Sequence, residues 1–282
     1  MKTWVWRLMM AVLLLLIAAP HRSFAQDKGK IGDFEKEVDD KDRKDDDDDD
    51  DDDTWDDDDD GGFYAAIAGD GLWLLTRATF HTLFYFPRED SLLYRGSYRN
   101  VHFSDYPYAG AGAGLYSLSR GRQVAFNLAF NHFYHGENLR GVGFRGRFSP
   151  FPYISLEGQY LRLTEDLERG SDYLELYNAF VNYNRLRTEP VAIWWGLGLK
   201  GMRGSVSHTG PAFNLGSEIY FKRPLSFHLA YSVGSLNSTG VSELYLRLNL
   251  HVRRFTLFLG YQNVSAGSAD LNGLISGIGV YL

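Results

Sequence analysis

Ser226 and His228 stand two residues apart, the spacing at which side chains on a strand share a face and can touch. A serine beside a histidine is the core of a nucleophile–base pair for acyl hydrolysis, and that chemistry needs a third group to orient the base. No such third residue is readable. Ser205, Ser207 and His208 form a second cluster, in a stretch expected to be a long loop. His132 and His135 are three apart, on opposite faces of an extended chain, which argues against a shared metal. Asp56, Asp58, Asp60 and Gly61 match the first half of an EF-hand loop, but Ile67 stands where the closing Glu belongs. That match is trivial inside a run of five Asp, and weak, diffuse binding of divalent cations is what such charge implies. Gly110, Gly112 and Gly114 make no phosphate loop, because no helical pattern or Lys-Ser/Thr follows. No motif asks for a cofactor. The remaining chemistry-bearing residues are charges: Arg145, Arg147, Glu157, Lys200, Glu218, Lys222, Glu243, Arg247 and Arg253.

Strands must position these charges. Leu244, Leu246, Leu248, Leu250 and Val252 alternate with Glu243, Tyr245, Arg247, Asn249, His251 and Arg253. After the short turn Arg253–Arg254, Phe255, Leu257, Leu259 and Tyr261 alternate with Thr256, Phe258, Gly260 and Gln262. Roughly ten residues per strand is the length a tilted strand needs to cross a bilayer. The same reading predicts strands at 92–103, 108–118, 123–135, 139–148, 153–163, 173–185, 191–200, 213–222, 225–233, 243–253, 255–262 and 272–282. Short connections at 119–122, 149–152, 186–190, 223–224 and 253–254 alternate with longer ones at 136–138, 164–172, 201–212, 234–242 and 263–271. Opposite the apolar faces stand small or polar residues: Asn127, Ala129 and Asn131, then Gly196 and Gly198, then Asn214, Gly216 and Glu218. A wet or charge-filled lumen explains this better than the dry core of a soluble sandwich. On this registration the nine charged residues point into the lumen, where they must be paired or hydrated. A salt-bridged brace and a narrow pore with a slight preference for anions both stay open.

The N-terminal 25 residues have the parts of a secretory signal peptide: Lys2 and Arg7, the apolar run Met9–Ala19, then Ser23-Phe24-Ala25. Residues 26–60 hold 21 acids against 6 bases, and residues 61–282 hold 15 acids against 20 bases. The net charge of −7 is therefore owed to the tail. Residues 26–62 are expected to be a disordered, Asp-rich tail, since so few apolar residues cannot offset chain entropy. Residues 63–90 read as an apolar segment, a helical plug or a membrane-surface helix, with Asp70 and Arg77 as the charges in 63–87. Residues 91–282 are the barrel. Cysteine is absent, which excludes disulfides and thiolate metal sites. The bases are scattered along strands and turns, so nucleic acid is excluded as a partner.

Leu274, Ser276, Ile278, Val280 and Leu282 alternate with Ile275, Gly277, Gly279 and Tyr281, and the chain stops there. This last strand resembles the C-terminal strand of Gram-negative outer-membrane β-barrel proteins, although those usually end on an aromatic and this chain ends Tyr281-Leu282. The resemblance is architectural and covers about 190 residues. It implies an all-β fold, a transmembrane antiparallel up-and-down β-barrel of about 12 strands. It also implies a Gram-negative outer membrane, with outer-membrane lipid and the barrel-assembly machinery as partners. An even strand count would put the acidic tail in the periplasm, on the side of the chain end. The expected role is a passive small-solute pore lined by the nine charges, or a structural envelope protein. The alternative is an outer-membrane lipid-modifying hydrolase with a Ser/His pair at the rim or in a loop. No catalytic residue is assigned.

Overall fold

A computed structural model of the chain describes residues 29–39, 101–109, 114–117, 121–136, 138–168 and 170–282. The expected signal peptide, the apolar segment 63–90 and residues 40–62 of the acidic tail lie outside the described residues. The described elements begin with helix α1 (Lys30–Asp39) and two short strands, β1 (His102–Phe103) and β2 (Tyr116–Ser117). Ten long strands follow: β3 (Ala125–His135), β4 (Leu139–Phe151), β5 (Ile154–Leu167), β6 (Gly170–Arg187), β7 (Val191–Arg203), β8 (Ser207–Lys222), β9 (Leu225–Leu236), β10 (Thr239–Val252), β11 (Phe255–Ala266) and β12 (Ala269–Tyr281).

Strands β3 to β12 form one closed barrel in which sequence neighbours pair antiparallel and β12 closes on β3, with Leu274 opposite Tyr134 and Tyr281 opposite Asn127. Closure leaves no edge, the condition for a sheet to stand in lipid. The barrel has ten strands where about 12 were expected. The two missing staves are the first two predicted, 92–103 and 108–118. Their described parts, β1 and β2, pair with each other, Phe103 also bridges Arg122, and Val101, Phe103 and Tyr116 pack inside one mouth against Ala192 and Trp194. Period-two alternation reports an extended chain; it does not report which sheet that chain joins. Gly114 runs so close to the carbonyl of Glu189 and the ring of Tyr220 that a Cβ there has no room.

The expected alternation of short and long connections is also corrected. Each connection between barrel strands is two or three residues long, and 164–172, 201–212, 234–242 and 263–271 are mostly strand. The added length has inverted sidedness. Near the mouth that holds Leu282, outward residues are apolar (Leu248, Leu259, Ile278, Leu215) and inward ones polar (Asn249, Asn214, Glu218). Toward the far mouth, inward residues are apolar (Leu163, Leu174, Met202, Leu236, Leu271), while Arg140, Arg162, Glu175, Arg203 and Ser207 stand outward. The apolar outward stretch Leu244–Val252 of β10 covers about 27 Å of strand, or roughly 20 Å along the barrel axis at a tilt near 40°. The strands therefore rise out of the apolar belt, and above it they are built like a water-soluble barrel.

Helix α1 is the core of that upper part. Ile31, Phe34 and Val38 repeat at helical spacing and are fully buried against Phe133, Leu163, Leu174, Met202, Leu236 and Leu271. Burying three such side chains contributes about 5–9 kcal/mol. Lys30–Asp39 was expected within a disordered tail, on the side of Leu282. It is a helix seated in the opposite mouth, because a segment that enters the lumen escapes the parity rule that governs the staves.

Candidate functional site

The candidate site is the layer of buried charge between α1 and the β1–β2 pair. Its carboxylates come from β5 (Glu157), β8 (Glu218) and β10 (Glu243), and its cations from β4 (Arg145, Arg147), β7 (Lys200) and β10 (Arg247). Six of these seven are at least nine-tenths buried, Arg147 being the more open one. Arg147 faces Glu157 directly across the β4–β5 ladder and binds Oε2 through Nε at 3.0 Å and through Nη2. Asn182 donates to the same oxygen at 3.0 Å, and Gln159 donates to Oε1 at 2.9 Å, with Arg145 3.7 Å away. Glu243 accepts from Asn178 at 2.7 Å and Gln262 at 2.9 Å, and pairs with Lys200 at 3.5 Å. The Arg145 guanidinium lies over the Tyr245 ring at 3.9 Å and Arg147 over Trp194 at 3.8 Å, so both cations are held flat by aromatic faces.

Protons in the histidine cluster are fixed by what each partner can do. A guanidinium only donates, so Arg145 Nη1, 3.2 Å from His228 Nε2, makes that nitrogen an acceptor. His228 is then neutral and donates through Nδ1 to Glu218 Oε2 at 2.6 Å. Ser226 donates its one proton to Glu218 Oε1, which also accepts from Asn249 at 2.8 Å. His251 Nε2, 2.8 Å from Ser226 Oγ, must donate to that oxygen, and its Nδ1 accepts from Thr256 at 3.1 Å. A histidine that donates to serine cannot deprotonate it. Ser226 is fully buried, and the pairing suggested by sequence, Ser226 with His228, is not formed: each bonds Glu218 instead. At the far mouth Ser205 bonds the Glu35 carboxylate, and His208 lies 3.7 Å from Asp39.

Both mouths are occupied by named contacts. At the far mouth the Glu165 carboxylate accepts from the amides of Lys30 at 3.0 Å and Ile31 at 2.9 Å, capping α1 from a barrel strand. Asn237 and Thr239 donate to the carbonyls of Val38 and Glu37, at 3.0 and 3.2 Å. Asn237 and Ser238 make the two-residue β9–β10 turn with φ of 49° and 61°, which aims the Asn237 amide at the helix end. At the near mouth Tyr108 donates to the Leu225 carbonyl, and burial pushes its phenol up to about 12, so it stays a donor. Cavities of about 20 and 50 Å³ remain in the lumen, room for about one water in the first and a few in the second.

Of the nine charges singled out from sequence, Arg145, Arg147, Glu157, Lys200, Glu218, Glu243 and Arg247 meet in this layer. Lys222 and Arg253 are exposed at the near-mouth turns. Sequence reasoning missed the aromatic supports Trp194 and Tyr245 and the whole of α1. A signal for α1 was present: Ile31, Phe34, Glu35 and Val38 are spaced as one helical face inside the acidic tail. Among the described residues, no group of three or more His, Asp or Glu side chains is arranged to hold a metal.

No protein-family model and no curated protein matches the chain. Solved structures of the Yersinia pestis outer membrane protein Ail are similar to it. Ail in a phospholipid bilayer nanodisc is 12% identical, with 56% of this chain and 98% of that chain covered and a TM-score of 0.32. Crystalline Ail, the attachment invasion locus protein, is 12% identical over 56% of this chain and 96% of that one, with a TM-score of 0.27. Ail in complex with the heparin analogue sucrose octasulfate is 14% identical over the same shares, with a TM-score of 0.27. Similarity this low carries no function from Ail to this chain.

Proposed function

We propose that the chain is a structural protein of a Gram-negative outer membrane, a barrel with a closed lumen that holds its Asp-rich segment at the membrane. The observation that carries this reading is the filling of the lumen at three levels: α1, the charged layer, and the β1–β2 pair. A pore needs a continuous wet path along its lining charges. Here Glu157, Glu218 and Glu243 are each gripped by several donors from other strands. The inward charges thus act as a brace for the barrel, and the pore reading is the weaker one. The outer-membrane location is supported by the closed antiparallel sheet, its apolar belt and the signal-like N-terminus, and it carries outer-membrane lipid and the barrel-assembly machinery with it as partners. Asp45 follows Asp39 by six residues in the sequence, and an acidic run of this kind can collect divalent cations weakly.

Single-channel recording of the refolded full chain in a planar bilayer tests the reading. The expected result is silence from protein shown to be folded by heat-modifiable gel mobility. Discrete, frequent conductance steps would replace the brace with a pore.

A further inference from the structure

The cavity of about 50 Å³ lies between the charged layer and the near mouth, bordered by Arg145, Arg147 and Arg247 together with Trp194, Asn127 and Tyr116. Charge around it does not balance. Three carboxylates, Glu157, Glu218 and Glu243, face four cations, with Lys200 3.5 Å and Arg145 4.0 Å from Glu243. Arginine cannot shed its proton, and with Lys200 charged beside Glu243 the excess is one positive charge. The odd cation is Arg247. Among the described residues, no carboxylate lies within ion-pair distance of it, and its charge rests over the rings of Phe258 at 5.0 Å and Tyr245 at 5.9 Å. Its Nε has no hydrogen-bond partner although the residue is only 6% exposed. Trp194, on the same cavity and 2% exposed, has an indole N–H that is likewise unpartnered. Glu218 also borders the cavity, but both its oxygens are taken up by His228, Ser226 and Asn249.

A buried guanidinium with no carboxylate in direct contact is costly, and nearby donors without acceptors add to that cost. We propose that this cavity binds one small monovalent anion, of chloride's size, between Arg247 and Trp194. The excess of a single charge sets the valence, and the volume excludes larger organic anions. The anion is then a structural component that completes the brace.

Bromide is the probe. Crystals of the full chain exchanged into bromide, with data collected at the bromine absorption edge, should give an anomalous peak in this cavity. Absence of such a peak overturns the proposal, because ordered water would then be what satisfies Arg247. In solution, the unfolding midpoint of the refolded full chain should rise saturably with chloride when gluconate keeps the ionic strength constant. Equal midpoints in the two salts also overturn it. Arg247→Met should abolish the bromide peak, while Arg140→Gln, at an exposed outward position, should keep it. Should Arg247→Met fail to fold, the bromide experiment on the unaltered chain still decides.

Discussion

Arg147 and Glu157 sit directly opposite one another on β4 and β5, and two guanidinium nitrogens of the first converge on one carboxylate oxygen of the second. The same carboxylate is reached by Gln159, Asn182 and Arg145, so three neighbouring strands are pinned to one side chain. Breaking a buried pair strands the remaining charge, whereas an exposed pair loses almost nothing.

Glu157→Gln is therefore expected to cost about 3–5 kcal/mol, since it leaves Arg145 and Arg147 without their carboxylate. Arg140→Ala breaks an ion pair with Asp166 whose side chains are 62% and 51% exposed, and it should cost less than about 1 kcal/mol. Urea unfolding of both variants in lipid vesicles measures the contrast, and equal costs would contradict the brace.

Sidedness along β10 is tested by moving one arginine along its outward face. Leu248→Arg places a cation in mid-belt and should cost on the order of 2–4 kcal/mol. Ser242→Arg lies on the same face beyond the apolar stretch and should be close to neutral. If both cost the same in vesicle unfolding titrations, the belt is drawn at the wrong height.

Phe34→Ala empties the centre of the α1 seat and should weaken docking by about 3–5 kcal/mol. Trypsin cleavage after Lys36 should then become rapid, with the barrel still heat-modifiable. Glu165→Gln removes the charged cap of α1 and should cost a smaller amount, about 0.5–2 kcal/mol. Unchanged protection of Lys36 in Phe34→Ala would mean that α1 is held by something other than its apolar face.

Ser226→Ala should lower stability by about 1–3 kcal/mol, because Glu218 loses a donor in a buried site. Fatty-acid release from phospholipid vesicles should stay at the background level in both the unaltered chain and this variant. Hydrolysis by the former alone would return Ser226 to the role of nucleophile.

The β10–β11 hairpin was legible from its alternation and its two-residue turn, and Val252 does face Phe255 across Arg253–Arg254. Inward placement of Glu218 and Arg247 followed from the same parity. The far-mouth extensions were not legible, because Thr164, Ser207 and Ser242 look like loop residues until the outer face is known to have turned polar there. The count failed at Tyr108–Leu118, where small and apolar residues alternate as a stave does. Partners such as Arg145 with His228 could not be read at all: they are 83 residues apart and meet only across the closed lumen.

The seat of α1 has a consequence for the order of assembly. The helix precedes every barrel strand in the chain, yet Glu37 bonds Ser268, 231 residues downstream, and the seat includes Leu271 and Ile275 of β12. Its binding surface does not exist until β12 has closed on β3. Full seating of α1 thus requires the closed barrel: a chain halted before its final hairpin is expected to keep an unseated, protease-sensitive helix.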